Sequence, residues 1–509
     1  MSRYYAGDTQ GIFWFLHVSD LHVDTNALAQ SEHLKFLVKD AVQVMQPQLV
    51  LVSGDLVDGT LAGIPTSGQD QAEWDIYKGI LDDANVQPTW FFDVPGNHDG
   101  YGDNGLTHFL ANSLQGQATG TLFSDTTVTT SLGDYYFVGL NSAGTYDKPF
   151  TFGNPSFTNV EDLTAGLQAH KSAQLVFAFA HHHLVPRGAT DAQTQLGIGG
   201  ADNPPDNVAE VVPLLEDAGA FYLHGHVHQF KESLQGNLVT FQISSLGHAP
   251  SVDRSSIDAF DATKYASNIG VGIVDHNAVV YRVTDTTNPW PFVAITAPVD
   301  VNLQGGGIPA GTEKGVAYPG DAVEYGAQKN PYAYDVCGPN KDNPVRALVL
   351  AAEPVSSVTF ALDGSTIGPM AAAADPKGVY TATIDTSSVK PGLHALTVTA
   401  TAGNVSRWDA IQVNITGGPC AAEQDAGTDA PAGDSAVADA AGVDAVVDHE
   451  AGATTDAGDS GSDAAEPPEP EEAASDDGGC SCSVPGRSSA GAGALAWALV
   501  LGLLRRRRD

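Results

Sequence analysis

Five short clusters of acidic, amide and imidazole side chains occur in order along the first 230 residues. They are Asp20-Leu21-His22, Gly54-Asp55, Gly96-Asn97-His98-Asp99, His181-His182-His183 and Gly225-His226-Val227-His228. A hydrolytic centre built on two divalent ions needs this donor chemistry: one carboxylate to bridge the ions, with separate nitrogen and oxygen ligands for each. Imidazole suits zinc and iron, and oxygen donors widen the choice to manganese. Thiolates take no part, since the cysteines are Cys337, Cys420, Cys480 and Cys482. Asp20 and His22, two apart at the end of an extended segment, should face alike, and so should His226 and His228. Gly54 and Gly225 read as tight-turn residues that let Asp55 and the histidine pair point inward. Singly each cluster is weak, because Asp-x-His or Gly-Asp is commonly a turn or a cap. Their force lies in all five occurring together.

Each cluster stands at or just after the end of an apolar run that reads as a strand. The strand candidates are 12–18, 49–53, 90–94, 135–140, 175–180, 221–223 and 239–243. Leu34, Leu37, Val38, Ala41, Val42 and Met45 repeat at helical spacing, with further helix candidates at 72–83 and 208–217. The recurrent β-α-β order predicts an α/β fold with layered, largely buried strands flanked by helices. In open α/β sheets ligands gather beyond the carboxyl ends of strands, so the five clusters should converge on one crevice.

The rest of the chain has other patterns. Residues 292–298, 346–351, 357–363, 379–384, 394–400 and 409–415 read as short strands separated by Gly, Pro and Asp, which predicts an all-β sandwich of immunoglobulin size. Residues 421–479 are Ala, Asp, Gly, Ser, Pro and Glu without an aromatic, a composition that buries too little apolar surface to fold and suits a disordered acidic spacer. Gly479-Cys480-Ser481-Cys482, an apolar run over 490–504 and Arg505–Arg508 then read as a membrane or sorting segment with a hydrophobic helix. The expected divisions are therefore 1–287, 288–420, 421–479 and 480–509. No cationic-then-apolar signal precedes the first strand, so either the true start lies upstream of Met1, the preferred expectation, or the protein is not exported. Whether Cys337 and Cys420 pair is left open. The formal net charge of −38 opposes a sequence-independent grip on nucleic acid, although a metal-filled site would still attract an anion.

Over roughly residues 12–285 the sequence resembles the calcineurin-like metallophosphoesterases, whose pattern is D-x-H, G-D, G-N-H-[DE], H and G-H-x-H. The resemblance implies a phosphoester hydrolase using two divalent ions (Mn, Fe or Zn). It implies Asp20, His22 and His228 on one ion, Asn97, His226 and a histidine of the 181–183 run on the other, and Asp55 between them. His98 would be the non-ligand imidazole that protonates the leaving oxygen or stabilises the transition state, oriented by Asp99. Within the triple histidine, alternation and the offset from the strand end leave His181 and His182 both open, with His182 preferred; His183 touches substrate or faces solvent. His224 reads as a core residue and His248 as a pocket candidate, while His17, His33, His108, His170 and His276 match no ligand spacing.

Two further resemblances concern the later segments. Trp290-Pro291-Phe292-Val293, Ile295-Thr296-Ala297-Pro298, 358–364 and 392–397 resemble the immunoglobulin-like module that follows the phosphoesterase domain in certain eukaryotic transmembrane metallophosphoesterases. The Gly-Cys element, apolar run and arginine cluster resemble the sorting tails of myxobacterial envelope proteins. The module implies no substrate, and the tail implies an envelope location through the C-terminal segment; the partner expected from the phosphoesterase motifs is a small-molecule or cell-surface phosphoester. The rival expectation is a non-catalytic, metal-stabilised head displayed on an acidic stalk.

Overall fold

The computed structural model describes residues 7–418, apart from 26–27, 60–67, 146–154, 185–204, 227, 229, 236, 248–266, 288, 305–310, 314–315, 319–324 and 327. The spacer, the C-terminal segment and His248 lie outside the described residues. Eleven strands build the first region: β1 (Phe13–Val18), β2 (Leu49–Ser53), β3 (Phe91–Val94), β4 (Ser124–Thr130), β5 (Gly133–Gly139), β6 (Leu175–Phe179), β7 (Phe221–His224), β8 (Lys231–Gln235), β9 (Leu238–Gln242), β10 (Asn268–Asp275) and β11 (Ala278–Asp285). They form two sheets, in the orders β11-β10-β1-β2-β3 and β4-β5-β6-β7-β9-β8. The pairings β1–β2, β2–β3, β5–β6, β6–β7 and β7–β9 are parallel.

Strand period explains the layering. Phe13, Phe15, Leu49, Leu51, Phe92 and Val94 of one sheet meet Tyr135, Phe137, Phe177, Phe179, Phe221 and Leu223 of the other in a core between the sheets. The alternate residues Trp14, Leu16, Val18, Val50 and Val52 pack against Leu34, Leu37, Trp74, Tyr77 and Ile80 of the helical segments. On the far side Tyr136, Val138, Val176 and Tyr222 pack against Leu163, Val211 and Leu215. Each fully buried Phe or Leu contributes about 1.5–3 kcal/mol, and burial of both faces is why these strands read as continuous apolar runs. The result is the helix–sheet–sheet–helix layering of a mixed α/β fold. Strands β4, β8, β10 and β11 were absent from the sequence reading.

The second region is antiparallel. It contains β12 (Phe292–Ala297), β13 (Gly311–Glu313), β14 (Val316–Tyr318), β15 (Asn343–Leu350), β16 (Val355–Leu362), β17 (Ser365–Pro369), β18 (Ala371–Ala372), β19 (Val379–Ile384), β20 (Gly392–Ala402) and β21 (Val405–Ile415). Sheets β12-β15-β19-β18 and β17-β16-β20-β21 enclose Ile295, Val345, Ala347, Phe360, Val398 and Val413 in a β-sandwich. Cys337 is disulfide-bonded. Among the described residues no helix is long and apolar enough to cross a membrane.

Candidate metal centre

Five strands deliver the clusters to one place: Asp20 and His22 follow β1, Asp55 follows β2, Asn97 and His98 follow β3, His181 follows β6, and His226 and His228 follow β7. Their polar atoms close on one another. His228 Nε2 lies 3.1 Å from Asp20 Oδ1 and 3.2 Å from His22 Nε2. His181 Nε2 lies 3.1 Å from Asp55 Oδ2, 3.0 Å from Asn97 Oδ1 and 3.1 Å from His226 Nδ1. Three donor groups result, Asp20–His22–His228, His22–Asp55–His98 and Asp55–His181–His226, each with its ligand atoms within 4.8 Å of one another. Asp55 belongs to two of them.

The backbone that produces this convergence is not the extended one expected. Asp20 (φ 54°), His22 (45°), Asp55 (53°), His226 (72°) and His228 (56°) are all left-handed. Each such L-residue costs roughly 1–2 kcal/mol, and strain of this kind gathers at functional sites. Asp20 and His22 meet because left-handed turns fold their side chains together, not because strand residues two apart face alike. Gly54 (φ 94°) is left-handed too, and a Cβ there would stand 2.7 Å from His181 Nδ1. Gly225 has a different role from the tight turn expected of it: a Cβ would lie 2.3 Å from Asp20 Oδ2, so glycine is needed for close approach.

Outer partners fix the ligands. His181 Nδ1 donates to the Ser53 carbonyl (2.9 Å), which turns Nε2 toward Asp55 and Asn97. The backbone N–H of His226 donates to Asp20 Oδ2, and that of His98 to Asp55 Oδ1. Ser142 Oγ accepts the backbone N–H groups of His181 and His182 and stands 3.0 Å from His182 Nδ1. His181, not the preferred His182, therefore joins the cluster; His182 is buried against the His226 ring, with centroids 4.6 Å apart. Strand β6 stops at Phe179, so period two no longer governs residues 181–183. His183 is buried, with its ring 6.2 Å from that of His226.

Asp99 also departs from its expected role. Its carboxylate accepts from the backbone N–H groups of Leu56, Val57 and Gly96 and so shapes the two loops, while His98 Nδ1 is held by the Asp58 carbonyl at 2.6 Å. Ser53, Asp58, Ser142 and Tyr101, whose hydroxyl accepts from Asn97 Nδ2, are site residues that no motif signalled. His17 bonds Tyr281 Oη and Ser53 Oγ, and burial pushes it down to about 3, a neutral structural ring. His224 is a buried residue at the end of β7.

Charge in the cluster is conditional. Burial raises the Asp20 carboxyl, but the neighbouring His228 outweighs it and holds the group well below the usual range. Burial likewise raises Asp55, and His181 and His98 bring it down. Burial lowers His181, yet the Asp55 carboxylate beside it pushes it up to about 9. Among the described residues neither carboxylate pairs with lysine or arginine; protons on imidazoles balance them. Two buried carboxylates, an amide oxygen and four imidazoles that can exchange protons for a cation fit divalent metals.

The sequence matches the calcineurin-like phosphoesterase family over residues 13–230. These residues form a calcineurin-like phosphoesterase domain. An Arabidopsis thaliana protein named as a metallophosphoesterase is 29% identical over 175 residues, 32% of this chain and 23% of that protein. Transmembrane protein 62 of Mus musculus is 35% identical over 102 residues, 19% of this chain and 15% of its own length. The match thus spans less than a quarter of either curated relative. Among solved structures, GAP50, the anchor in the inner membrane complex of Plasmodium, aligns at 16% identity over 55% of this chain and 86% of its own, with a TM-score of 0.35. A Staphylococcus aureus structure described as a 5′-nucleotidase aligns at 13% identity over 53% of each chain, with a TM-score of 0.32. The phosphoesterase domain holds all ten side chains singled out from the sequence.

Proposed function

We propose that the phosphoesterase domain hydrolyses phosphoesters with two divalent ions. Asp20, His22 and His228 hold one ion, Asn97, His181 and His226 the other, and Asp55 stands between. The observation that carries this reading is the place of the Asp55 carboxylate, whose Oδ2 lies 3.7 Å from His22 Nε2 of one ligand set and 3.1 Å from His181 Nε2 of the other. Such ions supply Lewis acidity that makes water nucleophilic near neutral pH. The chain's own residues orient and protonate. A carbonyl only accepts, so His98 Nδ1, 2.6 Å from the Asp58 carbonyl, carries hydrogen and leaves Nε2 for substrate. Half-buried and within 4.8 Å of ligand atoms of His22 and Asp55, His98 is placed to give an Nε2 proton to the leaving oxygen.

The test is metal analysis of natively purified protein followed by hydrolysis of p-nitrophenyl phosphate and its bis-ester with manganese, iron or zinc. His98→Ala should keep its metal and lose about 10²–10⁴-fold in turnover. Metal-loaded protein that turns over neither ester supports the displayed, non-catalytic head instead. The cell envelope is the proposed location, with the substrate a small-molecule or surface phosphoester reached from a C-terminal membrane segment. The disulfide at Cys337 supports an oxidising compartment. Fractionation of cells with and without residues 480–509 checks the attachment.

A further inference from the structure

Gln69 is buried beside the turn that presents His98, outside every motif. Its amide is fully committed. The Trp74 indole N–H donates to Oε1 at 3.0 Å, and an indole nitrogen is a donor only, so Nε2 must face the other way. There it donates to the carbonyls of His98 and Tyr101, each at 2.9 Å, spanning the single 3₁₀ turn His98–Gly100. The same turn is pressed from the opposite loop: Gly59 is left-handed (φ 67°), and a Cβ there would stand 2.0 Å from the His98 carbonyl oxygen. The Gly59 N–H is tied in turn to Glu73 Oε2 at 2.9 Å. Gln69 and Trp74 thus form a clamp that sets the height and tilt of the His98 ring above the cluster. Neither touches Asp20, Asp55 or a ligating imidazole through any described hydrogen bond.

We propose that Gln69, anchored by Trp74, is the positioning residue for the His98 imidazole. This rests on the reading of His98 as proton donor to the leaving group. Gln69→Glu keeps the shape but removes both donors to the carbonyls. It should lower kcat by about 10- to 100-fold with KM and metal Kd unchanged. The loss should be larger for an alkyl phosphoester than for the p-nitrophenyl ester, whose leaving group needs little protonation. In a His98→Ala background the substitution should cost nothing more, because both changes act on one step. Trp74→Phe, which removes the anchor N–H together with part of the buried ring, should show the same pattern in weaker form and covers the case in which Gln69→Glu does not fold.

Loss of metal affinity, equal loss for both esters, or an undiminished effect in the His98→Ala background would overturn the proposal. An activity-free readout separates it from the phosphoesterase reading. The parent should show a downfield proton resonance from His98 Nδ1–H, absent in His98→Ala and shifted or broadened in Gln69→Glu. An inactive parent with that shift would retain the clamp and lose only the reaction, whereas an unmoved resonance would remove the clamp.

Discussion

At the carboxyl edge of the layered sheets Asp20 and Asp55 are surrounded by imidazoles; where those sheets meet the sandwich, Asp275 lies against Arg346 and Arg282 against Asp409. The second arrangement is complete in itself. Arg346 Nε and a terminal nitrogen reach both oxygens of Asp275 at 2.9 Å, and Thr296 Oγ1 adds a third donor at 2.7 Å. The reciprocal pair has Arg282 Nε 3.2 Å from Asp409 Oδ1, with the Ile295 N–H on Oδ2. Guanidinium stays charged at every physiological pH and offers a planar fork that matches a carboxylate. Imidazole is charged only while it carries a proton that a cation can displace. A buried carboxylate with a guanidinium partner is thus a structural weld, and one balanced only by imidazoles is a ligand set whose protons a cation can replace.

Single substitutions separate the two. Asp55→Ala has the largest expected effect: it removes the donor common to two ligand groups, so metal binding and turnover should both fall to background in calorimetry and ester assays. Arg346→Ala should leave metal Kd and kcat untouched but cost up to about 3–5 kcal/mol of folding stability, because buried Asp275 loses its guanidinium and keeps only Thr296 and the adjacent His276. Urea unfolding reads that loss. Comparable weakening of metal binding by Arg346→Ala would break the distinction. Metal itself sharpens it: at a hundredfold excess over Kd a bound ion adds about 2.7 kcal/mol. That increment should survive in Arg346→Ala and vanish in Asp55→Ala.

The same distinction explains what could be read from sequence. The cluster was legible because its ligands come in short local motifs at strand ends, where Gly54, Gly96 and Gly225 mark close backbone approaches. The weld was not: Asp275, Arg282, Arg346 and Asp409 stand on four strands, and nothing in their spacing announces the pairing. Strands β1, β2, β3, β6 and β7 were legible as apolar runs because both their faces are buried. Strand β4, with the sequence SDTTVTT, is half-exposed and polar and gives no such signal. The choice between His181 and His182 failed for a related reason, since alternation holds only inside a strand. Asp99 was assigned to His98 by analogy of motif, and its actual partners are backbone N–H groups invisible to any side-chain pattern.

The dependence of stability on pH tests whether the weld is fully balanced. Arg282 faces Glu232 and Asp300 as well as Asp409. Burial raises Glu232 and Arg282 only partly opposes it, so the carboxyl is pushed up to about 8 and is neutral at pH 7, the opposite of Asp20 and Asp55. A carboxyl whose folded pKa lies above its ordinary 4.5 binds more protons folded than unfolded between pH 4.5 and 8. Stability therefore falls as pH rises through that window, with no cost below it and the full cost above. Asp20 and Asp55, held low, contribute in the other sense: their stabilisation is present above the ordinary carboxylate pKa and is lost on acidification. Glu232→Gln should match the parent at pH 4.5 and exceed it increasingly toward pH 8. Urea midpoints for both proteins in chelator give the difference, in which the shared titration of His181 cancels. Parallel curves would mean that Arg282 compensates all its carboxylates, and that the weld carries no unbalanced charge.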